Sequence, residues 1–315
     1  MKITIIGAGA MGSLFGSLLA KSGEKVLLVD IWQEHVDSIN ANGLGVQIDG
    51  KTGTVDIKAS SNVNDAQKSD LVIIFVKSTQ TREAAAQALK CLDNNGVILT
   101  LQNGMGNADK ISQIVNPDKV IAGTTSHGAT ILKPGFIRHA GTGPTIIGMW
   151  SQKKSHQKKS QEIENIQKIF CGAGIDTVIE DNIHLIVWKK LIINVGINAI
   201  TALTGVKNGR IVDFAPTGEL VRSAVREGCD VAFAYGVQLP HDIADQVFTV
   251  AKATGANRSS MGQDVDHNRQ TEIDAINGAI VSLAQKKGIS VPVNQTLTAL
   301  IKTMQKNYKE EDNNG

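Results

Sequence analysis

The sequence predicts two domains of different class, an α/β domain built on a parallel sheet followed by an all-helical domain. The chain has 315 residues, and a typical domain has roughly 150. In the first half, short β-branched runs alternate with segments of helical periodicity, which indicates βαβ units. From about residue 182 the strand pattern stops and only helical patterns follow. We therefore predict one domain over 1–181 and a second over 182–315.

Short apolar runs in the first domain have the length and composition of strands that are buried on both faces. Between them, segments such as 11–22 and 81–92 carry the apolar spacing of amphipathic helices. Connections of this kind join parallel strands. The predicted strands cover residues 3–6, 25–29, 71–76, 97–101, 120–124, 146–148 and 176–179.

Two segments of the first domain interrupt this alternation. Residues 44–59 alternate around Asp49-Gly50, which predicts a small hairpin or meander. Residues 151–160 read SQKKSHQKKS, and we interpret them as a solvated basic loop rather than a polyanion-binding patch.

The second domain is predicted to consist of helices that follow one another directly. Gly236 and Gly288 are suitable helix stops, since glycine favours the position after a helix end. The predicted helices cover residues 183–203, 216–235, 242–253, 269–287 and 292–306.

Composition argues against several classes of protein. The 32 basic and 30 acidic side chains leave a net charge of +2, and only 4% of residues are aromatic, which disfavours nucleic acid as a partner. Apolar runs such as 71–76 are far shorter than the ~20 residues of a membrane span. Cys91, Cys171 and Cys229 are too few and too far apart for a disulfide framework or a metal site. We therefore expect a soluble cytoplasmic protein with no bound metal, no membrane and no nucleic-acid partner.

A glycine-rich turn follows the first predicted strand and opens a predicted helix. In this context the first glycine allows the tight turn, the second admits a pyrophosphate, and the third lets the helix pack closely on the strand. The free N–H groups of the helix N-terminus favour phosphate. The turn therefore predicts a dinucleotide site in a Rossmann-type domain, formed by Gly7, Ala8, Gly9, Ala10, Met11 and Gly12.

An acidic residue, Asp30, follows the second predicted strand. A carboxylate in this position can accept hydrogen bonds from both adenosine ribose hydroxyls and would repel the 2′-phosphate of NADP. The next residues, 31–35, contain no Lys or Arg that would welcome that phosphate. The sequence therefore predicts a preference for NADH over NADPH, although an ordinary solvated carboxylate is the alternative.

Three polar side chains share one face of a largely apolar helix at 188–201. Lys190, Asn194 and Asn198 stand at i, i+4 and i+8 and so share one face. Each would cost ~1–3 kcal/mol if buried without a partner. The face therefore either belongs to a polar network within the core or lines a ligand site, whereas we expect Lys189 to be solvated.

A second group of polar residues follows in NRSSMGQD and TEIDAING. Ser260 and Asp264 lie one turn apart, and Glu272 is expected in the first turn of a helix. Asn257 and Ser259 are also N-cap candidates, and an acidic side chain is favourable at a helix start, so structural roles remain open for this group.

Lys77 and Asn103 each follow a predicted buried strand, in FVKS and LQNGMG. Ligands of open α/β sheets bind beyond the carboxyl ends of the strands, so both residues are placed to meet a cofactor or a substrate. Simple turn chemistry is the alternative for Asn103-Gly104.

Along the whole chain these motifs resemble the ketopantoate reductases (2-dehydropantoate 2-reductases). The resemblance rests on GAGAMGS, FVKSTQ, LQNGMGN, WKKLIINVGINAITA, NRSSMGQD and QTEIDAINGAI, in this order. It implies a Rossmann-type domain, an all-helical domain and an active site between them. It also implies NAD(P)H-dependent reduction of 2-dehydropantoate to D-pantoate, in the synthesis of pantothenate and coenzyme A.

The resemblance assigns roles residue by residue. Lys190 matches the family's catalytic lysine, Ser260 the serine that holds the substrate carboxylate, and Glu272 the acid that faces the substrate hydroxyl. Asp264 matches too, with a supporting role for Ser260 left open. The remaining matches are the substrate-contacting Asn103, Asn194 and Asn198 and the further active-site positions Asn257 and Lys77.

Asp30 departs from the basic residue that NADPH-using members generally have at this point. Some similar proteins prefer NADH and act as D-2-hydroxyacid dehydrogenases on bulky 2-oxo acids, which is the alternative function. A non-catalytic NAD-sensing module is a more distant alternative. The expected partner is a small 2-oxo acid, and the apolar C-terminal helices could support a homodimer.

Overall fold

The computed structural model describes residues 1–151 and 157–312 of the chain. It divides into two compact units. The first consists of residues 1–102 and 107–183, and the second of residues 103–106 together with the described residues from His184 onward. The predicted basic loop falls partly outside the described residues. Its last residues, 157–160, instead begin a helix, Gln157–Gly172.

The first unit is an α/β unit with two sheets. Its strands are β1 (Lys2–Ile6), β2 (Lys25–Val29), β3 (Leu44–Ile48), β4 (Lys51–Val55), β5 (Lys58–Ser60), β6 (Ser69–Ile74), β7 (Leu92–Thr100), β8 (Val120–Thr125), β9 (Gly128–Lys133), β10 (Phe136–Gly141), β11 (Thr145–Met149) and β12 (Thr177–Ile179). Its helices are α1 (Ala10–Lys21), α2 (Gln33–Asn42), α3 (Thr81–Cys91), α4 (Asn107–Ser112) and α5 (Gln157–Gly172).

The main sheet has the strand order β12-β11-β8-β7-β6-β1-β2-β5 within the described residues. From β8 to β5 all neighbouring strands are parallel, as predicted. β11 pairs antiparallel with β8, and β12 runs parallel to β11, so the sheet is mixed at this edge. The parallel strands bring the ends of β1, β2, β6 and β7 to one edge, where α/β sheets bind ligands.

A smaller sheet with the order β4-β3-β10-β9 contains the predicted hairpin. Asp49 and Gly50 both have positive φ, 48° and 76°, as a two-residue hairpin turn of the I′ type requires. The sequence did not predict β5, β9 or β10. These strands are short or half-exposed, so they lack the continuous apolar run of a buried strand.

The core of the first unit forms where α1 packs on the main sheet. Gly16 makes this approach possible, because a Cβ there would lie 2.6 Å from Leu28 Cδ2. Fully buried side chains of the helix and the strands fill the contact, among them Ile3, Ile5, Leu14, Phe15, Leu19, Leu28, Leu71 and Ile73.

The described part of the second unit is helical. Its helices are α6 (Ile183–Thr204), α7 (Ala215–Ala234), α8 (Ile243–Ala253), α9 (Ser260–Asp266), α10 (Asn277–Lys287) and α11 (Pro292–Asp312). α6 lies in the core, and its buried side chains include Leu191, Ile192, Val195 and Ala199.

By length and composition, α6 is also the one described helix that could cross a membrane, which corrects the expectation that no segment approaches this length. More than half of its most apolar stretch is buried inside the protein. Lys189 and Lys190 divide its apolar run, so no single uninterrupted run reveals it. Core helices meet the same criterion, and the evidence for a span is therefore weak.

The helix predicted over 269–287 begins later than expected. Glu272 precedes a 3-10 turn, Ile273–Ala275, and α10 begins only at Asn277. The Ala275 carbonyl accepts a hydrogen bond from the Met105 N–H at 2.8 Å instead of continuing the helix. A contact so distant in the sequence leaves no trace in helical periodicity, so the prediction that Glu272 lies in the first turn of α10 is wrong.

A buried polar network joins α7, α10 and the start of α11. Asn294 Nδ2 donates to the Ala224 carbonyl at 3.0 Å and to Glu227 Oε2 at 2.8 Å, and Asn294 Oδ1 accepts from Asn277 Nδ2 at 3.0 Å. The Glu227 carboxylate also accepts from the N–H groups of Val293 and Asn294, both at 2.9 Å. An acceptor is favourable there, because the first N–H groups of a helix lack intrahelical partners.

We expect Asn294→Ala to lower the free energy of unfolding by about 2–4 kcal/mol, since it leaves several buried polar groups without partners. Urea unfolding followed by circular dichroism measures the change. Gln295→Ala, at the exposed next position of α11, is the matched control and should stay within about 0.5 kcal/mol of the wild type. Equal stabilities of the two variants would contradict the structural importance of this network.

Candidate active site

The glycine turn between β1 and α1 has the geometry that its sequence predicts. Gly7 has φ +98°, and a Cβ there would lie 2.6 Å from Val76 N. A Cβ on Gly12 would lie 2.0 Å from the Gly7 carbonyl oxygen, so only glycine allows α1 to start so close to the strand. Gly9 is the N-cap of α1, and a Cβ there would meet nothing within 4 Å. The turn therefore has the open face and the helix N-terminus that suit a pyrophosphate.

Asp30 directly follows β2, at the same edge of the sheet. The side chain is half-buried, and its Oδ1 accepts a hydrogen bond from the Trp32 N–H at 2.9 Å. Ile31 and Trp32 expose 76% and 40% of their surfaces. A carboxylate beside exposed apolar side chains suits a ribose and the adenine attached to it.

The ends of β6 and β7 are joined through Gln102, which the sequence analysis did not single out. Gln102 Nε2 donates to the Val76 carbonyl at 2.7 Å and to Thr81 Oγ1 at 2.9 Å, and its Oε1 accepts from Thr100 Oγ1 at 2.9 Å. These bonds fix the backbone just before Lys77, whose side chain is exposed. Gln102 lies within the LQNGMG motif, which is the only sequence signal that could have pointed to it.

Lys190, Asn194 and Asn198 lie on successive turns of α6, as their spacing predicts. Lys190 and Asn194 are half-buried, and Asn198 is buried. Burial lowers the pKa of Lys190 to about 8, and the Glu272 carboxylate opposes part of this shift. An amine with this pKa holds a proton at neutral pH and gives it up more readily than an exposed lysine. The buried network of Asn277 and Asn294 reaches this helix at the Val195 carbonyl, which accepts from Asn277 Nδ2 at 3.3 Å.

Ser260 is the exposed first residue of α9, and Ser259 is the N-cap of this helix. Ser259 Oγ accepts from the Gly262 N–H at 3.0 Å and from Thr201 Oγ1 at 2.7 Å. Thr201 lies on α6, one turn beyond Asn198. The two serines are therefore tied to the helix that carries Lys190. Asn257, the other cap candidate, is exposed and does not cap α9.

Arg258, also missed by the sequence analysis, fixes the loop before α9. Its guanidinium forms two hydrogen bonds of 2.8 Å with the Asp266 carboxylate at the other end of α9. It also donates to the carbonyls of Thr201 and Val206, at the end of α6. Asp264 is buried on α9, and its carbonyl accepts from the Arg269 N–H at 2.8 Å.

The segment 103–106 belongs to the second unit, although the predicted boundary assigns it to the first domain. Gly104 has φ +84°, and a Cβ there would lie 2.4 Å from the Ala275 carbonyl oxygen. Asn103 thus adjoins the turn that begins after Glu272. The place of Asn103 after a strand and its match to the family motif single it out, but the sequence contains no signal for this contact.

The site residues predicted from the sequence fall into two groups. The glycine turn, Asp30 and Lys77 belong to the first unit. The second unit contains the residues assigned to substrate and catalysis, namely Asn103, Lys190, Asn194, Asn198, Asn257, Ser260 and Glu272. Among the described residues there is no cluster of three or more His, Cys, Asp or Glu side chains that could hold a metal ion.

Two models of one known family together match most of the chain. Residues 3–152 match the model of the family described as Ketopantoate reductase PanE/ApbA, and residues 182–305 match the model of its C-terminal part. A 2-dehydropantoate 2-reductase of Pyrococcus abyssi is 39% identical over 302 residues, which cover 96% of this chain and 97% of that protein. Its counterpart from Halobacterium salinarum is 36% identical over 307 residues, covering 97% and 99%.

Solved structures show the same similarity over nearly the whole chain. A PanE/ApbA family ketopantoate reductase from Ralstonia eutropha superposes with a TM-score of 0.89 at 34% identity, covering 98% of this chain and 100% of that one. A D-mandelate dehydrogenase in ternary complex with NADH and anilino(oxo)acetate superposes with a TM-score of 0.90 at 28% identity, covering 98% and 99%. The chain therefore belongs to the ketopantoate reductase PanE/ApbA family.

Proposed function

We propose that this protein reduces 2-dehydropantoate (ketopantoate) to D-pantoate with a nicotinamide cofactor, a step in the synthesis of pantothenate and coenzyme A. The observation that carries this proposal is the amine of Lys190, on the helix that also bears Asn194 and Asn198. Burial lowers its pKa to about 8, and the Glu272 carboxylate opposes part of this shift. The relatives from Pyrococcus abyssi and Halobacterium salinarum are 2-dehydropantoate 2-reductases, and we take the substrate from them. They favour ketopantoate over the bulky 2-oxo acids of the alternative function.

When bound, a nicotinamide cofactor would supply the hydride that adds to the carbonyl carbon of the 2-oxo acid. Negative charge then develops on the carbonyl oxygen, and the Lys190 ammonium stabilises it by a hydrogen bond. The ammonium transfers its proton to that oxygen and becomes a neutral amine. Hydride and proton together complete the hydroxyl group, and Lys190 regains a proton from water.

Other residues of the second unit hold the substrate. The Ser260 hydroxyl donates a hydrogen bond to the substrate carboxylate. Glu272 accepts a hydrogen bond from the hydroxyl that distinguishes ketopantoate from simpler 2-oxo acids. Asp264 supports Ser260 from within α9. Neutral donors and acceptors orient the rest of the molecule, from Asn103, Asn194, Asn198 and Asn257. In this proposal the partner is a small molecule, and the protein acts in the cytoplasm without a nucleic-acid or membrane partner, as a monomer or a homodimer.

The first unit holds the cofactor in this proposal. The Gly7–Gly12 turn, including Ala8, Ala10 and Met11, receives the pyrophosphate, and Lys77 lies at the end of the neighbouring strand β6. Asp30 accepts from the ribose hydroxyls and disfavours a 2′-phosphate, so the preferred cofactor is NADH. The similar D-mandelate dehydrogenase, whose structure contains NADH, supports this choice.

Lys190→Ala should lower kcat at least ~10²-fold, the usual loss when a general acid is removed, with an unchanged dissociation constant for the cofactor. Initial rates at 340 nm and a cofactor titration measure the two effects. In the wild type, kcat for reduction should fall as the pH rises beyond about 8, because Lys190 then loses its proton. Lys189→Ala, at the neighbouring position, is the matched control. Normal turnover of the Lys190 variant would remove this residue from its role.

Asp30→Ala should raise KM for NADH about tenfold, because hydrogen bonds from the ribose hydroxyls to a charged group are lost. It should lower KM for NADPH, because the carboxylate no longer repels the 2′-phosphate. Steady-state kinetics with both cofactors give the ratio of kcat/KM values. Asp37→Ala removes an exposed carboxylate seven residues further along and should leave this ratio unchanged. A wild type that prefers NADPH would contradict the assignment of Asp30.

Glu272→Gln should raise KM for ketopantoate about tenfold, because a carboxylate binds a hydroxyl more strongly than an amide does. KM for 2-oxoisovalerate, which lacks this hydroxyl, should not change. The variant should also move the alkaline limb of kcat to lower pH for both substrates, since Glu272 raises the pKa of Lys190. Asp274→Asn, at an exposed position near the same turn, is the control. Equal effects on both KM values would refute the hydroxyl contact.

A further inference from the structure

A buried histidine connects two parts of the first unit that the proposed function assigns to the cofactor. His35 lies in the first turn of α2, five residues after Asp30, and its surface is 0% exposed. Its Nδ1 accepts a hydrogen bond from the Gly135 N–H at 3.0 Å, and its Nε2 lies 3.2 Å from Ser13 Oγ. A backbone N–H can only donate, so the proton of the neutral ring is on Nε2 and is donated to Ser13.

Ser13 continues this chain of hydrogen bonds to the glycine turn. Its Oγ donates to the Ala8 carbonyl at 2.7 Å, and its backbone N–H donates to the Gly9 carbonyl at 2.8 Å. A trans peptide group is planar, with its C=O and N–H pointing in opposite directions. Holding the Ala8 carbonyl towards Ser13 therefore directs the Gly9 N–H to the opposite side. That direction matters because an N–H of this turn is a ready donor to phosphate.

The same imidazole is also linked to the adenosine end of the site. The Trp32 ring stacks on it, with centroids 5.1 Å apart and an angle of 14° between the planes. The Trp32 N–H in turn donates to Asp30 Oδ1. Burial lowers the pKa of His35, with Asp30 and the Ala8 carbonyl acting in the opposite sense. The ring is thus neutral at pH 7, as its hydrogen bond from Gly135 requires.

We propose that His35 is a positioning residue of the cofactor site, which acts through Ser13 to hold the Ala8–Gly9 peptide ready for the pyrophosphate. His35 thereby couples the loop that reads the adenosine ribose to the turn that binds the phosphates. This inference rests on the proposed function, in which the glycine turn binds NADH. It assigns to His35 and Ser13 a role in cofactor affinity, with no contact to the substrate or to the reacting atoms.

The chain offers a matched pair of serines to test this role. Ser13 and Ser17 are both buried on α1, and each hydroxyl donates to a backbone carbonyl at 2.7 Å, that of Ala8 and that of Leu14. Only the first carbonyl belongs to the glycine turn. Ser13→Ala should raise the dissociation constant of NADH about five- to tenfold, the usual effect of one buried hydrogen bond. The Ser17→Ala variant should lose as much free energy of unfolding as Ser13→Ala and should bind NADH with the affinity of the wild type.

Variants of His35 test the histidine itself. His35→Leu removes both ring hydrogen bonds and should weaken NADH binding about tenfold. His35→Gln restores a donor for Ser13 and should recover affinity to within about threefold of the wild type. For each variant, kcat at saturating NADH should stay within twofold of the wild type, while KM for NADH follows the dissociation constant. If His35→Leu does not fold, the comparison of NADH affinity between Ser13→Ala and Ser17→Ala tests the proposal.

Fluorescence titration with NADH in the absence of substrate measures the dissociation constant independently of turnover. Equal NADH affinities of the Ser13→Ala and Ser17→Ala variants would overturn the inference and leave the proposed function intact. A loss of kcat with an unchanged KM for NADH would also overturn it. A wild type that binds neither NADH nor NADPH would refute the proposed function, and this inference with it.

Discussion

The ammonium group of Lys190 lies on α6, a helix that packs largely into the apolar core of the second unit, and the Glu272 carboxylate acts on it. Removing a charge from water is costly unless an opposite charge or hydrogen bonds compensate for it. Here burial lowers the pKa to about 8, and Glu272 keeps it from falling further. The helical core thus creates an amine that is protonated near neutral pH and loses its proton easily. This is the property that carbonyl reduction requires of its acid.

Polar contacts fix the segments around α6, α9 and α10 relative to one another. Glu272 lies outside α10 because the Ala275 carbonyl bonds to Met105, in the segment that also carries Asn103. Ser259 and Arg258 tie the start of α9 to the end of α6. Polar contacts of this kind fix positions more strictly than apolar packing, which tolerates many arrangements of similar volume. In the first unit, the hydrogen bonds of Gln102, Ser13 and His35 likewise hold the backbone that follows the strand ends.

The sequence predicts those features that depend on local pattern. The parallel strands β1, β2, β6, β7 and β8, the Asp49-Gly50 hairpin and the geometry of the glycine turn all agree with it, because each follows from hydrophobic period or from glycine conformation. The half-exposed β9 and β10, the reversed direction of β11 and the late start of α10 were not predicted. β9 and β10 pair with each other but lack the continuous apolar run of a buried strand. The direction of β11 and the start of α10 depend on partners far away in the sequence. For the same reason Lys190 could be singled out by its spacing, whereas Gln102, Arg258 and the bonds of His35 could not.

The most direct test of this account is the titration of the Lys190 side chain itself. In protein labelled with carbon-13 at the lysine ε-carbons, NMR can follow each amine as the pH is raised, and the Lys190→Arg variant identifies the signal of Lys190. The account predicts a midpoint near pH 8 and a lower one in the Glu272→Gln variant. A midpoint at the ordinary lysine value of 10.5, unchanged in that variant, would contradict it.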